Sequence, residues 1–364
     1  MFNKYYIKNL FGKHTKRQLV AFSVDDYGTQ RTASLAARIN LLKIRNHPFK
    51  SRFDMYDSLE TSEDLEMLFE TLHSVKDKNG NNAVFTAFSL SANPNFEEMI
   101  RNGYTKYIYE SLPETYQKMY GNLKVMSLIQ EGIRKRIFVP QYHGREHINI
   151  KVMMYLLSIK DPYTIACFEN NSYSGIYNPF KNISFTGSFG FEDFSENHEL
   201  GEIAKDGLRL FELVYGYKAE HFTAPGMREH NIISSSLFEG GIKYIDRSLL
   251  EKPHLGNGRY GRISFYYTGE KNRFGQRYIV RNCVFEPTNN RSFDSVAHAM
   301  KLIDAAFTMH TVANISSHRV NFCGSIDPEN RAYGLMELSR LLKAIIRKYP
   351  EVEFITTSQI LNDD

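Results

Sequence analysis

The sequence predicts an α/β fold built on a largely parallel sheet, and two observations carry this prediction. Short apolar runs alternate along the chain with stretches of helical periodicity, which is the pattern of successive βα units. No repeat, low-complexity tract or Ser/Gly-rich linker interrupts that alternation. We therefore expect a basic N-terminal segment at 1–16 and one further domain at 17–364. A closed (β/α) barrel and a doubly wound sheet both fit.

The apolar runs predict roughly eight strands, and the amphipathic stretches predict at least five helices. The expected strands are Leu19–Val24, Ala83–Phe88, Ile137–Val139, Ala219–Thr223, Lys243–Asp246, Tyr278–Phe285, Val312–Ser316 and Glu353–Thr356. The expected helices are Leu65–Val75, with a capping box at Thr61 and Asp64, and Ile148–Ile159, Leu200–Val214, Ser295–Met309 and Leu335–Lys348.

Two long stretches do not follow the alternation and are expected to be insertions. One, near 95–129, is rich in Tyr and is broken by Pro113, and the other, near 161–197, is polar with recurring Gly, Asn and Phe. Loops of this length in a compact fold are either functional coverings or irregular surface packing, and the sequence leaves both open.

Composition excludes several classes of protein. Of 364 residues, 42% are hydrophobic, and the net charge of +4 is too small to predict nucleic-acid binding. No apolar run approaches the ~18 residues that span a bilayer. The basic start lacks the apolar core of a signal peptide, and the three cysteines are widely spaced without a CxxC pair. Both features predict a cytoplasmic protein with reduced thiols.

Polar residues that follow the predicted strands are the candidates for chemistry, because reactive groups of α/β folds collect at strand carboxyl ends. Asp25 and Asp26 follow the first strand, His143 and His147 follow the third, and His318 follows Val312–Ser316. The same positions supply candidate substrate-binding residues: Tyr27, Arg145, Pro225, Gly226, Arg228, Glu286 and Arg319.

The five residues suit metal-assisted hydrolysis. Side chains of adjacent aspartates diverge, so one can ligate a metal while the other acts as a base, although a solvated turn also accommodates such a pair. The i, i+4 spacing of His143 and His147 places both rings on one face if a helix has begun there, and zinc accepts such a pair with a carboxylate. A lone histidine such as His318 is often structural. Together, however, the groups provide an open metal site, a base and an acid.

These motifs resemble the polysaccharide deacetylase family (carbohydrate esterase family 4, chitooligosaccharide deacetylase-like). Ser23-Val24-Asp25-Asp26-Tyr27-Gly28 is similar to its T-F-D-D-G motif, and His143-Gly144-Arg145-Glu146-His147 to its H-[ST]-x-x-H motif. Thr223-Ala224-Pro225-Gly226 and Ile315-Ser316-Ser317-His318 are similar to its later motifs. The resemblance covers about residues 17–361.

The resemblance implies a distorted (β/α) barrel of about seven units that removes an acetyl group from an N- or O-acetylated sugar or polysaccharide. It implies Asp26, His143 and His147 as ligands of a divalent metal: zinc, with cobalt, nickel or manganese as alternatives. Asp25 is then the general base and His318 the general acid. The chain departs from the family at Thr223, where the family has an arginine that orients the base. Arg145, Arg228 and Arg319 are the candidate replacements.

Two other interpretations remain open. The segment His143–His147 also fits H-x-x-E-H, the signature of an inverted-zincin metallopeptidase, with Glu146 as base and Glu220 as third ligand. Alternatively, the chain is a catalytically inactive carbohydrate-binding member of the fold, which the loss of the motif arginine favours.

Overall fold

The computed structural model describes residues 4–45 and 47–362, so the expectation for residues 1–3 of the basic segment lies outside the described residues. Within these ranges the chain forms thirteen strands. Their bounds are β1 Gln18–Tyr27, β2 Phe85–Leu90, β3 Ala92–Pro94, β4 Tyr109–Ser111, β5 Phe138–Gly144, β6 His221–Phe222, β7 Tyr244–Asp246, β8 Leu250–Glu251, β9 Ser264–Phe265, β10 Arg277–Ile279, β11 Cys283–Val284, β12 Ala313–His318 and β13 Val352–Ile355.

The described residues also form twelve α-helices. Their bounds are α1 Leu35–Arg45, α2 Arg52–Tyr56, α3 Ser62–His73, α4 Phe96–Arg101, α5 Leu112–Tyr120, α6 Lys124–Arg134, α7 Ile150–Ser158, α8 Pro162–Glu169, α9 Asn197–Tyr215, α10 Ser234–Glu239, α11 Ser295–Thr308 and α12 Pro328–Lys348. The five predicted helices correspond to α3, α7, α9, α11 and α12. The expected capping box between Thr61 and Asp64 is present at the start of α3.

A nine-stranded parallel sheet forms the centre of the molecule, in the order β10-β7-β6-β5-β2-β1-β12-β11, with β13 paired to the first half of β1. Nine of the ten residues of β1 are buried, because helices cover the outer face of the sheet. Parallel strands covered in this way read as continuous apolar runs, and for this reason the runs were visible in the sequence.

The chain itself joins the two edges of this sheet. The predicted strand Tyr278–Phe285 is two strands: β10 pairs with β7 at one edge, and β11 pairs with β12 at the other. Only residues 280–282 separate them. The expectation of one strand is therefore wrong, because this segment changes hydrogen-bonding partner midway. The change closes the sheet into a distorted barrel and confirms the predicted fold class.

Of the two expected insertions, the first is largely helical and the second is mostly irregular. Residues 95–129 contain α4, β4, α5 and the first half of α6, whereas residues 161–197 contain α8 followed by irregular chain at 170–193. Phe96 of α4 and Phe168 of α8 pack edge to face, with ring centroids 5.0 Å apart, in a hydrophobic cluster that also includes α7. Parts of both insertions therefore pack with α7, whereas the buried apolar residues of α5 and α6 belong to the main core. None of the helices of the described residues is long and apolar enough to cross a membrane.

Candidate active site

The carboxyl end of β1 places its two aspartates in different environments. The register between β1 and β2 shifts between Val24 and Tyr27, and Asp26 adopts a left-handed backbone conformation with φ of 79°. A non-glycine residue held in this region is uncommon and marks a local constraint. The bulge turns the Asp26 carboxylate toward His143 and His147, while Asp25 faces Arg281. The predicted divergence of the two side chains is present.

Asp26, His143 and His147 form a compact group of three metal-ligating side chains. Asp26 Oδ1 lies 3.2 Å from His143 Nε2 and 2.9 Å from His147 Nε2, and all three ligand atoms lie within 4.8 Å of one another. Two ligands on a tetrahedral zinc with bonds of about 2.0 Å stand about 3.3 Å apart, so this group is of the right size.

Protonation in this group also suits a metal. His143 Nδ1 donates a hydrogen bond of 2.7 Å to the carbonyl oxygen of Thr223, which leaves the Nε2 lone pair facing Asp26. His147 Nδ1 is buried without a hydrogen-bond partner among the described residues. Burial disfavours the charged Asp26 carboxylate, but its interactions with His147 and His143 hold the pKa of Asp26 well below the usual range. An ionised carboxylate and a free imidazole nitrogen are what a divalent cation needs, so the residues fit.

The two histidines do not share a helix face, as their spacing suggested. His143 is in β5, and α7 begins only at Ile150, so His147 lies in the connection between them. Gly144 ends the strand with φ of 133°, a conformation that side-chain-bearing residues rarely adopt. This turn, rather than a helix, returns the chain so that both rings reach Asp26.

Arg281 holds Asp25 with two hydrogen bonds, from Nη1 to Oδ2 at 2.7 Å and from Nη2 to Oδ1 at 2.8 Å. On its other side, Nε donates to Asp246 at 2.7 Å. Nη2 also donates to the hydroxyl of Thr223, the residue at the family's arginine position, at 2.9 Å. Thr223 provides no positive charge for Asp25, and Arg281, in the segment 280–282 between β10 and β11, provides one instead.

The three arginines expected to replace the motif arginine do not contact Asp25. Arg145 is buried and bound by Glu146 and Asp206, and Arg319 is buried and bound by Asp57 and Glu60. Arg228 is exposed and lines the cavity described below. The signal for Arg281 was present in the sequence, because Arg281 is the one charged residue of the predicted strand Tyr278–Phe285. The sequence did not show that Asp25 is the partner of Arg281.

His318 lies beside Asp25, because β12 and β1 are paired in register at these two residues. Nε2 of His318 is 3.9 Å from Asp25 Oδ2, and Nδ1 donates to Glu286 Oε1 at 2.6 Å. Burial opposes protonation of the ring, but the Glu286 carboxylate raises the pKa of His318 to about 9. His318 is therefore protonated at neutral pH and is able to donate a proton from Nε2.

A cavity of about 1090 Å³ opens beside Asp25 and His318. Gly226 and Arg228 of the expected substrate-binding residues line it, next to the buried Pro225. Its other walls come from the segment 247–254, from Tyr260 and from the closing segment around Arg281, none of which the sequence singled out.

Four expected substrate-binding residues have structural contacts instead. Tyr27 is buried and packs edge to face on Phe138, so it is in the core. Arg145 and Arg319 are occupied by the carboxylates named above. Glu286 binds His318 and Arg52, and thus positions the histidine. None of the four lines the cavity within the described residues, so a part for them in substrate binding stays a prediction.

The metallopeptidase interpretation is not supported by the geometry. Both oxygens of Glu146 accept hydrogen bonds from Arg145, and Glu146 is fully buried. Glu220 precedes β6 and pairs with Lys243 at the surface, so it is not with the histidines in the metal-ligating group. The proposed base and the proposed third ligand are thus both engaged elsewhere.

Fold and site together define the class: an α/β barrel with an Asp-His-His group and an adjacent Asp25–His318 pair at the carboxyl ends of its strands. No protein-family model and no curated protein matches the sequence. Among solved structures, the chain is similar to a PuuE allantoinase, with a TM-score of 0.48 and 11% identity over 96% of that chain and 99% of this one. It is similar to a "probable polysaccharide deacetylase" from Pseudomonas aeruginosa PAO1, with a TM-score of 0.47 and 11% identity over 90% of that chain and 95% of this one.

A 4-alpha-glucanotransferase from Thermococcus litoralis also matches, with a TM-score of 0.49 and 9% identity. Here 96% of this chain covers 40% of the length of that protein. The matches further include a protein from Bacillus anthracis described as a CE4 family pseudoenzyme, with a TM-score of 0.37, 10% identity, and coverage of 96% of this chain and 67% of that one. Polysaccharide deacetylases are thus among the structures that this chain is similar to, as the sequence motifs predict.

Proposed function

We propose that this protein is a metal-dependent hydrolase that removes an acetyl group from an N- or O-acetylated sugar or polysaccharide. The observation that carries the proposal is that Asp25 and His318 lie beside the Asp26-His143-His147 group. Asp25 forms an ion pair with Arg281, and His318 forms one with Glu286. Asp25 and His318 both face one cavity beside this group, and a purely structural role does not account for that placement.

Each residue then has a part in the reaction. Asp26, His143 and His147 would hold the metal, for which we propose zinc, and a bound divalent cation polarises an acyl carbonyl and favours ionisation of water. Asp25, fixed by Arg281, accepts the proton of the attacking water. His318, protonated at neutral pH, donates a proton to the departing sugar nitrogen or oxygen. Glu286 keeps the His318 ring oriented through Nδ1.

Metal content tests the first half of the proposal. We expect about one zinc or cobalt per chain after reconstitution, and loss of that metal in His147→Ala, because a site of three protein ligands tolerates the loss of one poorly. His198→Ala, at an exposed position of α9, is the matched control and should retain the metal. Retention of full metal by His147→Ala would show that the ligand set is wrong.

Acetate release tests the second half. Metal-loaded protein is incubated with acetylated chito- and xylo-oligosaccharides, and released acetate is measured for the wild type and for Asp25→Asn. We expect Asp25→Asn to keep its metal and to lose about 10²–10⁴-fold in rate, the usual contribution of a positioned base. Metal binding without acetate release from any acetylated glycan would instead favour an inactive carbohydrate-binding protein. A cytoplasmic site of action remains a prediction, and cell fractionation tests it.

A further inference from the structure

Four of the five lysines and arginines that line the cavity beside Asp25 and His318 fall into two groups, and the fifth, Lys8, donates a hydrogen bond to the carbonyl oxygen of Arg281 at 3.0 Å. Two arginines are already neutralised: Arg281 binds Asp25 and Asp246, and Arg247 binds Glu229 and lies 3.6 Å from Glu251. Their charges hold the walls together and are not free for a ligand.

Arg228 and Lys252 line the same cavity and form the second group. Both are exposed, and neither makes an ion pair within residues 4–45 and 47–362. Arg228 follows the turn at 225–227 after β6, and Lys252 follows β8 directly, so the two cations come from separate segments of the wall. An unpaired cation in a concave site attracts anionic ligands more strongly than it would on a convex surface.

An aromatic platform lies beside these cations. Tyr260 lines the cavity and is 42% exposed, and Lys252 Nζ lies 5.8 Å from the centroid of its ring. Behind it, the His254 ring is 5.1 Å from the Tyr260 ring and 4.9 Å from Phe191. Burial lowers the pKa of His254, with the Glu192 carboxylate opposing and the positive charge of Arg228 assisting, so Arg228 is close enough to influence this ring.

Residues 252–261, which we call the arm and which include Lys252 and Tyr260, are held in place by backbone hydrogen bonds. Gly261 N donates to Pro253 O at 2.8 Å, and Leu255 N donates to Arg259 O at 2.8 Å. At the tip, Asn257 N donates to Glu192 O at 2.6 Å, which fastens the arm to the neighbouring segment. A platform ordered in advance loses little conformational entropy when a ligand binds.

We propose that Arg228, Lys252 and Tyr260 form a subsite for an acidic sugar residue, one that carries a carboxylate or phosphate group. The sugar face packs on Tyr260, since the chain contains no tryptophan, and the anionic group binds the two cations. The substrate of the proposed hydrolase is then an anionic glycan. This last step rests on the proposed function, whereas the binding itself does not.

Binding by metal-free protein in EDTA tests the inference separately from catalysis. Titration calorimetry compares trigalacturonate with neutral galactotriose, and N-acetylglucosamine 1-phosphate with N-acetylglucosamine, so that the carboxylate and the phosphate are tested apart. We expect at least one acidic probe to bind about tenfold or more tightly than its neutral partner, with a preference that weakens as salt rises. Equal affinities in both pairs, or no binding of either acidic probe at millimolar concentration, overturn the inference.

Variants locate the preference. Arg228→Gln combined with Lys252→Met should remove it and leave the neutral probes unaffected, and Tyr260→Ala should weaken acidic and neutral probes alike. Lys343→Met, an exposed lysine of α12, is the charge-matched control. Thermal unfolding checks that each variant is folded. A preference that survives in the double variant contradicts this subsite. Metal content and acetate release of the wild type, measured separately, report on the proposed function alone.

Discussion

Arg281 fixes the orientation of Asp25 through a two-pronged contact, and Asp246 in turn fixes Arg281. Burial opposes ionisation of Asp246, but the charge of Arg281 is the largest of the interactions that keep the pKa of Asp246 low. Planar guanidinium groups bind carboxylates in this geometry, which lysine does not reproduce. In the proposed reaction Arg281 is a positioning residue, because it contacts Asp25, the proposed base, and not the reacting atoms.

Replacing Arg281 should therefore slow the reaction without removing the metal. We expect Arg281→Gln to lower kcat about 10²-fold, the effect of a misplaced catalytic group, and Arg281→Lys to recover part of this loss. Arg347→Gln, at an exposed position of α12, serves as the control. Metal content and acetate release are measured for all three. An unchanged kcat in Arg281→Gln would show that Asp25 needs no such support.

The Glu286 contact makes a prediction about pH. His318 must be protonated to act as the acid, and Glu286 raises its pKa to about 9, so activity should decline only above that pH. In Glu286→Gln the pKa of His318 should fall toward the ordinary value of about 6.5, and the alkaline limb of the kcat/KM profile should move to lower pH with it. The exposed Glu220→Gln is the control. If the alkaline limb of Glu286→Gln coincides with that of the wild type, His318 is not the group whose protonation limits activity at high pH.

The sequence identified the proposed ligands but not what holds them. Asp26, His143 and His147 were found because strand ends of an α/β fold converge, although the helix invoked for the histidines is absent. Arg281 was missed because its role depends on which strands its segment joins. That is a long-range property, and no local pattern encodes it.

Among the elements, α9 lies unusually close to the strand that carries His143. Gly207 of α9 permits this approach, since a Cβ atom there would lie 2.1 Å from Tyr142 Oη and 2.8 Å from Arg145 Cβ. Ser91 Oγ donates to the Gly207 carbonyl at 2.9 Å and fastens the same contact.

Gly207→Ala should consequently push α9 away from β5. We expect the free energy of unfolding to fall by about 1–3 kcal/mol, the usual cost of overpacking, despite the better helix propensity of alanine. Urea unfolding measures this change, with Glu212→Ala on the exposed face of the same helix as control. A stability equal to that of the control would mean that the helix and Tyr142 adjust without cost.

Most strands of the central sheet were predictable because buried parallel strands read as continuous apolar runs, and the five predicted helices because burial of one face gives a helical period. The helices of the insertions were not predicted, and α4 and α8 are short and lie in stretches that read as irregular. The sequence offered no sign that α4 and α8 pack on α7.

At the scale of the whole molecule, β13 is held beside the beginning of β1 by ion pairs as well as by the hydrogen bonds of the sheet. Arg17 binds Glu353 through Nε at 2.9 Å and Nη2 at 2.6 Å, and Lys78 lies 3.1 Å from the same carboxylate. The hydrogen bonds from Arg17, with burial opposing and Lys78 assisting, lower the pKa of Glu353 to about 2.

This contact should make part of the stability sensitive to acid. A carboxylate with a lowered pKa in the folded state stabilises fully above its unfolded value of about 4.5, and the contribution disappears as the pH falls through about 2. We expect Glu353→Gln to lose about 1 kcal/mol at pH 7, because solvent screens the partly exposed Arg17 and Lys78, with the difference from the wild type shrinking below pH 4. The control is Glu351→Gln, since the Glu351 side chain is 78% exposed, and urea unfolding is measured for both variants at pH 7 and below pH 4. A difference that is independent of pH would assign the effect to packing.

The segment at 280–282 that joins the two edges of the sheet has a consequence for classification. A survey that sorts sequences by the arginine ahead of the Pro-Gly pair would place this chain among inactive proteins, because Thr223 stands there. Yet a guanidinium reaches the same carboxylate from a later part of the chain. For divergent chains of this architecture, the structural question is whether any basic side chain binds the carboxylate at the position of Asp25. The residue type at the position of Thr223 does not answer that question.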